Sequence, residues 1–216
     1  MRQKKILITG GCRGLGLELA KIYLEKNFIV FVTSRSKENI DEAKKNIKSK
    51  YLKNFITLKS ELSNLNSSYE IIHHFKENNK LDFFDIIINN ACKIIIGKFS
   101  HIPIEQYEEA NIVNFLTPIK FIKYVLNENT KTIVVNIIGG NTNFGMPFST
   151  SYSTSKSALE MFSDCIKHEL HNKNIKIITL HPGPINTKSN DNKIFYNMNT
   201  DPFRSKKEKD VKTTAL

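Results

Sequence analysis

Six short apolar runs rich in β-branched residues punctuate the chain: Lys5 to Thr9, Phe28 to Thr33, Phe55 to Leu58, Phe84 to Ile88, Thr132 to Ile138 and Ile175 to Leu180. Between them apolar positions recur at helical spacing, as in Leu15, Leu19, Ile22 and Tyr23, and again in Leu159, Phe162, Ile166 and Leu170. Strands alternating with amphipathic helices predict an α/β fold, one doubly wound parallel sheet with helices on both faces. Right-handed crossovers give the strand order 3-2-1-4-5-6, with a ligand site outside the carboxyl ends of the strands, between the first and fourth. From Lys188 the periodicity fails: Ser189-Asn190-Asp191-Asn192 opens a polar stretch, and Arg204 to Lys212 is mostly charged.

A chain of 216 residues suits one domain with one core, and 40% hydrophobic with 25% charged residues is a globular balance. The apolar runs, such as Ile86 to Ile88 and Ile133 to Val135, are too short to span a bilayer. Met1 to Lys5 is basic, but Gly10 and Gly11 end the following apolar stretch too early for a secretory leader, so no membrane association and a cytoplasmic location are expected. Cys12, Cys92 and Cys165 have neither a disulfide framework nor metal-ligand spacing, and His168 with His171 lacks a third ligand, so no metal is expected. The net charge of +11 comes from lysines scattered through a chain rich in Lys, Asn and Ile; without an aromatic-studded basic stripe, no nucleic-acid partner is expected.

After the first strand comes Thr9-Gly10-Gly11-Cys12-Arg13-Gly14-Leu15-Gly16, leading directly into an amphipathic helix. Glycines permit a tight turn and close backbone approach to a pyrophosphate, and the helix N-terminus adds about half a positive charge. Dinucleotide binding is the expected use.

The spacing Thr-Gly-x-x-x-Gly-x-Gly is followed in order by Asn89-Asn90-Ala91, Asn114, Tyr152 with Lys156, and Pro182-Gly183 with Thr187. Over roughly residues 3 to 187 this resembles the short-chain dehydrogenase/reductase family. The resemblance implies a single Rossmann-type domain over residues 1–187, with residues 188–216 as its substrate loop and polar tail. It also implies a nicotinamide cofactor, a small-molecule carbonyl or alcohol substrate, and a homodimer joined through the helices carrying Asn114 and Tyr152. Thr9, Gly10, Gly14, Leu15 and Gly16 would meet the cofactor from the turn, and Asn89, Asn90 and Ala91 from the end of strand four. Glu61 stands where the family has an aspartate near the adenine, with Leu62 beside it. Pro182, Gly183 and Thr187 would contact the nicotinamide carboxamide.

At the end of strand two, Thr33-Ser34-Arg35-Ser36 lacks the acidic residue that accepts from an NAD ribose. Arg35 is suited to the 2′-phosphate of NADP, and Arg13 matches a second basic position, so NADP(H) is expected rather than NAD(H). Tyr152 and Lys156, one helical turn apart, share a face. An adjacent ammonium, together with a positively charged nicotinamide, favours the phenolate, so Tyr152 is the expected acid/base; by resemblance Lys156 also holds the nicotinamide ribose, and Asn114 anchors a water relaying protons to it.

Three features depart from the family pattern. The serine that hydrogen-bonds the substrate oxygen usually lies thirteen residues before the tyrosine, and here that position is Gly139. Losing such a donor costs roughly 3 to 4 kcal/mol. Thr142 or Asn141 supplies the donor instead, a backbone N–H of the Gly139-Gly140 pair does, or the protein binds NADP(H) without useful turnover; the sequence leaves these open. Cys92 replaces the glycine of Asn-Asn-Ala-Gly and is expected as a small buried apolar residue. Family members usually add a further helix and a seventh strand, whereas 29 residues follow Thr187, so a shortened C-terminus is expected in which Phe195, Tyr196, Met198 and Phe203 form a lid or pack.

Overall fold

The computed structural model describes residues 2–79, 81–128, 131–140, 145–171, 173–183, 185–186, 193–196 and 209–210. In the first half of the chain, β1 (Lys5–Ile8), β2 (Ile29–Ser34), β3 (Phe55–Lys59) and β4 (Ile86–Asn89) alternate with α1 (Gly14–Glu25), α2 (Lys37–Asn46) and α3 (Ser67–Asn79). The second half adds β5 (Ile95–Gly97), α4 (Ile104–Asn111), a π turn over Ile112–Leu116, α5 (Thr117–Asn127), β6 (Thr132–Ile137), α6 (Thr150–Glu169) and β7 (Ile175–Leu180). Three short strands follow: β8 (Ile185–Asn186), β9 (Ile194–Tyr196) and β10 (Lys209–Asp210).

Six strands form one parallel sheet in the order β3-β2-β1-β4-β6-β7. Counting only its members, this is the expected 3-2-1-4-5-6. Each central strand is apolar on both faces because helices cover both. Ile6, Ile8, Val30, Val32 and Ile88 pack with Ala20 and Leu24 of α1 and Ile40 and Ala43 of α2. Leu7, Phe31, Ile87 and Val134 point the other way, onto Ile71 and Phe75 of α3 and Phe121 and Val125 of α5. The Phe31 ring meets those of Phe75 and Phe84 edge to face at 5.0 and 5.3 Å.

The strand expected from Phe84 begins instead at Ile86. Asp85 just before it uses its carboxylate to accept from the Lys5 amide at 2.8 Å, while Phe84 turns into the core. The apolar stripe of α6 faces its own protein: Leu170 is buried, and Phe162 and Ile166 pack against the same core.

Two short pairings lie outside the periodic part of the sequence. β5 pairs with β9, matching Ile95 with Ile194 and Gly97 with Tyr196, and β8 pairs with β10. Tyr196 packs with Ile194 on a small cluster of Ile95, Ile102 and Ala110, so of the four aromatic and Met positions expected to cap or pack, Tyr196 packs. Phe195 is partly exposed at 37%; Met198 and Phe203 lie outside the described residues.

Candidate active site

A cleft of about 920 Å³ opens across the carboxyl ends of β1, β4 and β6, the switch point of the sheet. Arg35 follows β2 and Tyr152 follows β6, with β1 and β4 between them. That is three strand spacings, about 14 Å, so the cleft suits an elongated ligand. Arg13 and Arg35 line the side beyond β1 together with Ser36, Glu61 and Leu62; Gly10, Asn90 and Ala91 line the middle; Tyr152, Lys156, Pro182 and Gly183 line the far side. Arg35 is exposed there, with no ion-pair partner among the described residues.

The glycine turn is built by backbone geometry. Gly10 and Gly14 have φ of +64° and +53°, conformations open to glycine. A β-carbon on Gly16 would stand 2.6 Å from the Gly10 carbonyl oxygen, so only glycine lets α1 approach the turn this closely. Thr9 Oγ1 accepts from the amides of Asn90 and Ala91 at 3.0 and 3.1 Å, and Asn90 Nδ2 returns a bond to the Thr9 carbonyl at 2.9 Å. These bonds tie the turn to the end of β4. The turn amides beyond Gly11, a 12-residue helix behind them and two arginines beside them make a donor set that fits a dinucleotide's phosphates.

Not every residue expected at a cofactor lines the cleft. Thr9, Gly14 and Gly16 shape the turn from behind, and Asn89 is buried in the sheet, its Nδ2 donating to Asn136 Oδ1 at 2.7 Å. Leu15 lines the cleft with Arg13. Thr187 lies outside the described residues, as do Asn141 and Thr142.

Tyr152 and Lys156 stand at the reacting end as the helical spacing predicts. Lys156 is almost fully buried, and its ammonium donates to the Ile137 carbonyl at 2.7 Å; the Tyr152 hydroxyl donates to the Ile138 carbonyl at 3.3 Å. Burial, with the Cys92 thiol adding to it, raises the phenol's pKa, and burial lowers that of Lys156. At both groups desolvation is the larger cause, and it favours the uncharged form.

Gly139 takes the serine's place, with φ of +133°, and a β-carbon there would lie 2.7 Å from Tyr152 Oη. The tyrosine hydroxyl therefore fills the space that a side chain at 139 would need. Cys92 is exposed and lines the cleft, contrary to its expected burial. Asn114 is fully buried in the π turn. Its Oδ1 accepts from the Lys93 amide at 2.8 Å, and its Nδ2 donates to the Lys93 carbonyl and to Ser155 Oγ, each at 2.9 Å. Ser155 in turn donates to the Tyr152 carbonyl at 2.9 Å, so Asn114 clamps the loop after β4 against α6.

Sequence reasoning passed over Glu160 and His181. His181 Nε2 lies 3.3 Å from Glu160 Oε1, and its Nδ1 3.2 Å from the Gly139 carbonyl oxygen. A signal was present: Tyr152, Lys156 and Glu160 fall at successive fourth positions, on one face of α6. Among the described residues no His, Cys, Asp and Glu cluster could hold a metal ion, and no helix is long and apolar enough to cross a membrane.

Residues 4–194 match the sequence profile of the short chain dehydrogenases. The chain belongs to the short-chain dehydrogenase family. Within that oxidoreductase family, a 3-ketodihydrosphingosine reductase from Bacteroides thetaiotaomicron is 30% identical over 199 residues, covering 89% of this chain and 68% of its own. A solved structure of ElxO with NADP bound is 26% identical at a TM-score of 0.77, covering 87% of this chain and 76% of that one. The structure of 4-hydroxyisoleucine dehydrogenase complexed with NADH is also 26% identical, at a TM-score of 0.75, covering 86% and 75%. The chain spans between 54% and 68% of the length of the curated short-chain dehydrogenase relatives it matches.

Proposed function

We propose that this protein is an NADP(H)-dependent oxidoreductase interconverting a small-molecule carbonyl and its alcohol, with Tyr152 as acid/base. The observation that carries the reading is the pairing of Tyr152 and Lys156 at one side of a cleft whose other side presents Arg13 and Arg35. Arg35 would take the 2′-phosphate, since its exposed guanidinium follows β2 directly, in Thr33-Ser34-Arg35-Ser36. The turn amides beyond Gly11 would hold the pyrophosphate, those of Gly10 and Gly11 being bonded to Thr33.

Bound NADPH would supply the hydride for reduction. Tyr152 donates its proton to the substrate oxygen as negative charge develops there, and its raised pKa suits this direction because an alkoxide is a stronger base than a phenolate. Lys156, fixed by the Ile137 carbonyl, stabilises the phenolate left behind. Asn114 keeps the loop carrying Ala91 to Lys93 in place against α6. The water relay expected at Asn114 belongs to this proposal; its protein-facing bonds go to Lys93 and Ser155.

A second reading, an NADP(H)-binding protein without turnover, is favoured by Gly139 alone. One experiment separates them. Calorimetry should give tighter binding of NADPH than of NADH, and NADPH oxidation should accompany reduction of at least one member of an aldehyde and ketone panel. Tyr152→Phe should keep NADPH binding within about threefold while lowering kcat by about 10² or more. Tight binding with no turnover, unchanged by that substitution, supports the second reading; failure to bind NADPH sinks both.

A further inference from the structure

Three consecutive carbonyls at the end of β6 each receive a side-chain donor. Ile137 is bonded by Lys156, Ile138 by Tyr152 and Gly139 by His181. The first two donors belong to the proposed chemistry; the third does not. His181 directly follows β7, and both of its ring nitrogens face oxygens, the Gly139 carbonyl at 3.2 Å and the Glu160 carboxylate at 3.3 Å.

The peptide between Gly139 and Gly140 has no side chain on either flank to fix it, and Gly139 sits at φ +133°. Its orientation is set by whatever binds its carbonyl. In a trans peptide the N–H points opposite to the C=O, so holding the Gly139 oxygen toward His181 turns the Gly140 N–H the other way. Both glycines line the cleft with Tyr152, and among the described residues the Gly140 N–H has no hydrogen-bond partner.

We propose that His181, steadied by Glu160, is a positioning residue that orients the Gly139–Gly140 peptide so that the Gly140 N–H donates to the substrate oxygen in place of the missing serine hydroxyl. This rests on the reductase reading above. It replaces a side-chain donor with a backbone one, whose aim depends on a histidine outside the Tyr152–Lys156 pair.

The test compares His181→Ala with His181→Asn, because the Asn side-chain amide can still donate to the Gly139 carbonyl. With NADPH and either 3-oxobutanoate or 4-nitrobenzaldehyde, whichever the wild type reduces, His181→Ala should lower kcat by about tenfold to a hundredfold. KM for NADPH should stay within about twofold, and His181→Asn should recover kcat to within about threefold of wild type. A second readout is independent of turnover. The chain has nine glycines, so [15N]glycine labelling gives a sparse spectrum in which the Gly140 amide signal should shift in His181→Ala and stay near its wild-type position in His181→Asn. Wild-type turnover that Tyr152→Phe abolishes but His181→Ala leaves intact overturns the positioning role while the reductase reading stands. So does equal loss in both His181 variants, or an unmoved Gly140 signal in His181→Ala. A wild type that binds NADPH but reduces neither carbonyl nor any other panel member sinks the reductase reading, and the donor role with it.

Discussion

A β-carbon at Gly139 would meet the Tyr152 hydroxyl at 2.7 Å, and the backbone there adopts a φ of +133° that side chains rarely tolerate. Restoring the serine of the family pattern is therefore no simple repair. Gly139→Ser should destabilise the fold by about 1 to 3 kcal/mol in urea unfolding and leave kcat unchanged or lower. A clear gain in kcat would mean that Tyr152 withdraws to make room. The residue-level chemistry was partly legible in advance. Tyr152, Lys156, Arg35 and the glycine turn carry side chains or backbone freedom whose use follows from their own type and spacing. Glu160 and His181 did not announce themselves, because their meaning comes from each other across 21 positions and from a backbone carbonyl that no residue name records. The direction of the Tyr152 pKa was likewise hidden: it depends on how deeply the pair is buried, which a spacing of four does not state.

Helix α6 behaves as a single keyed element. On the side facing β6 it presents Tyr152, Lys156, Glu160 and Ser163, which meet Ile138, Ile137, His181 and Asn136. The π turn Ile112–Leu116 is its counterpart, since the widened turn carries the buried Asn114 that reaches both Lys93 and Ser155. Asn114→Ala would strand the Lys93 amide and carbonyl in a part-buried site. We expect a loss of about 2 to 4 kcal/mol in urea unfolding, with faster proteolysis in the loop after β4. A loss under 0.5 kcal/mol would show that the loop holds without the clamp. The long strands and helices were legible because both faces of the sheet are buried, which writes continuous β-branched runs into the chain. β5 and β9 were not: each has three residues, and β9 sits in a polar stretch where pairing partners, not periodicity, make the strand.

The folded molecule also bears a cost at its centre. Lys156 is buried with the Ile137 carbonyl as its acceptor among the described residues, and burial holds its pKa below the ordinary 10.5. A lowered pKa means that the folded state binds fewer protons than the unfolded one between the two values. This destabilising contribution is thus full at low pH and is relieved as pH rises from the folded value toward 10.5. Lys156→Met should raise unfolding stability at neutral pH by about 1 to 4 kcal/mol and flatten that rise with pH, while removing turnover. A variant no more stable than wild type would mean that the ammonium is better solvated than its burial indicates.

Each of residues 136 to 139 meets a different side chain beyond β6, Ser163, Lys156, Tyr152 and His181 in turn. Such a stretch works as a ruler. One residue inserted or deleted within it would put every bond out of step at once, whereas a substitution leaves the backbone carbonyls of residues 137 to 139 in register. Over these four residues length should therefore matter more than identity.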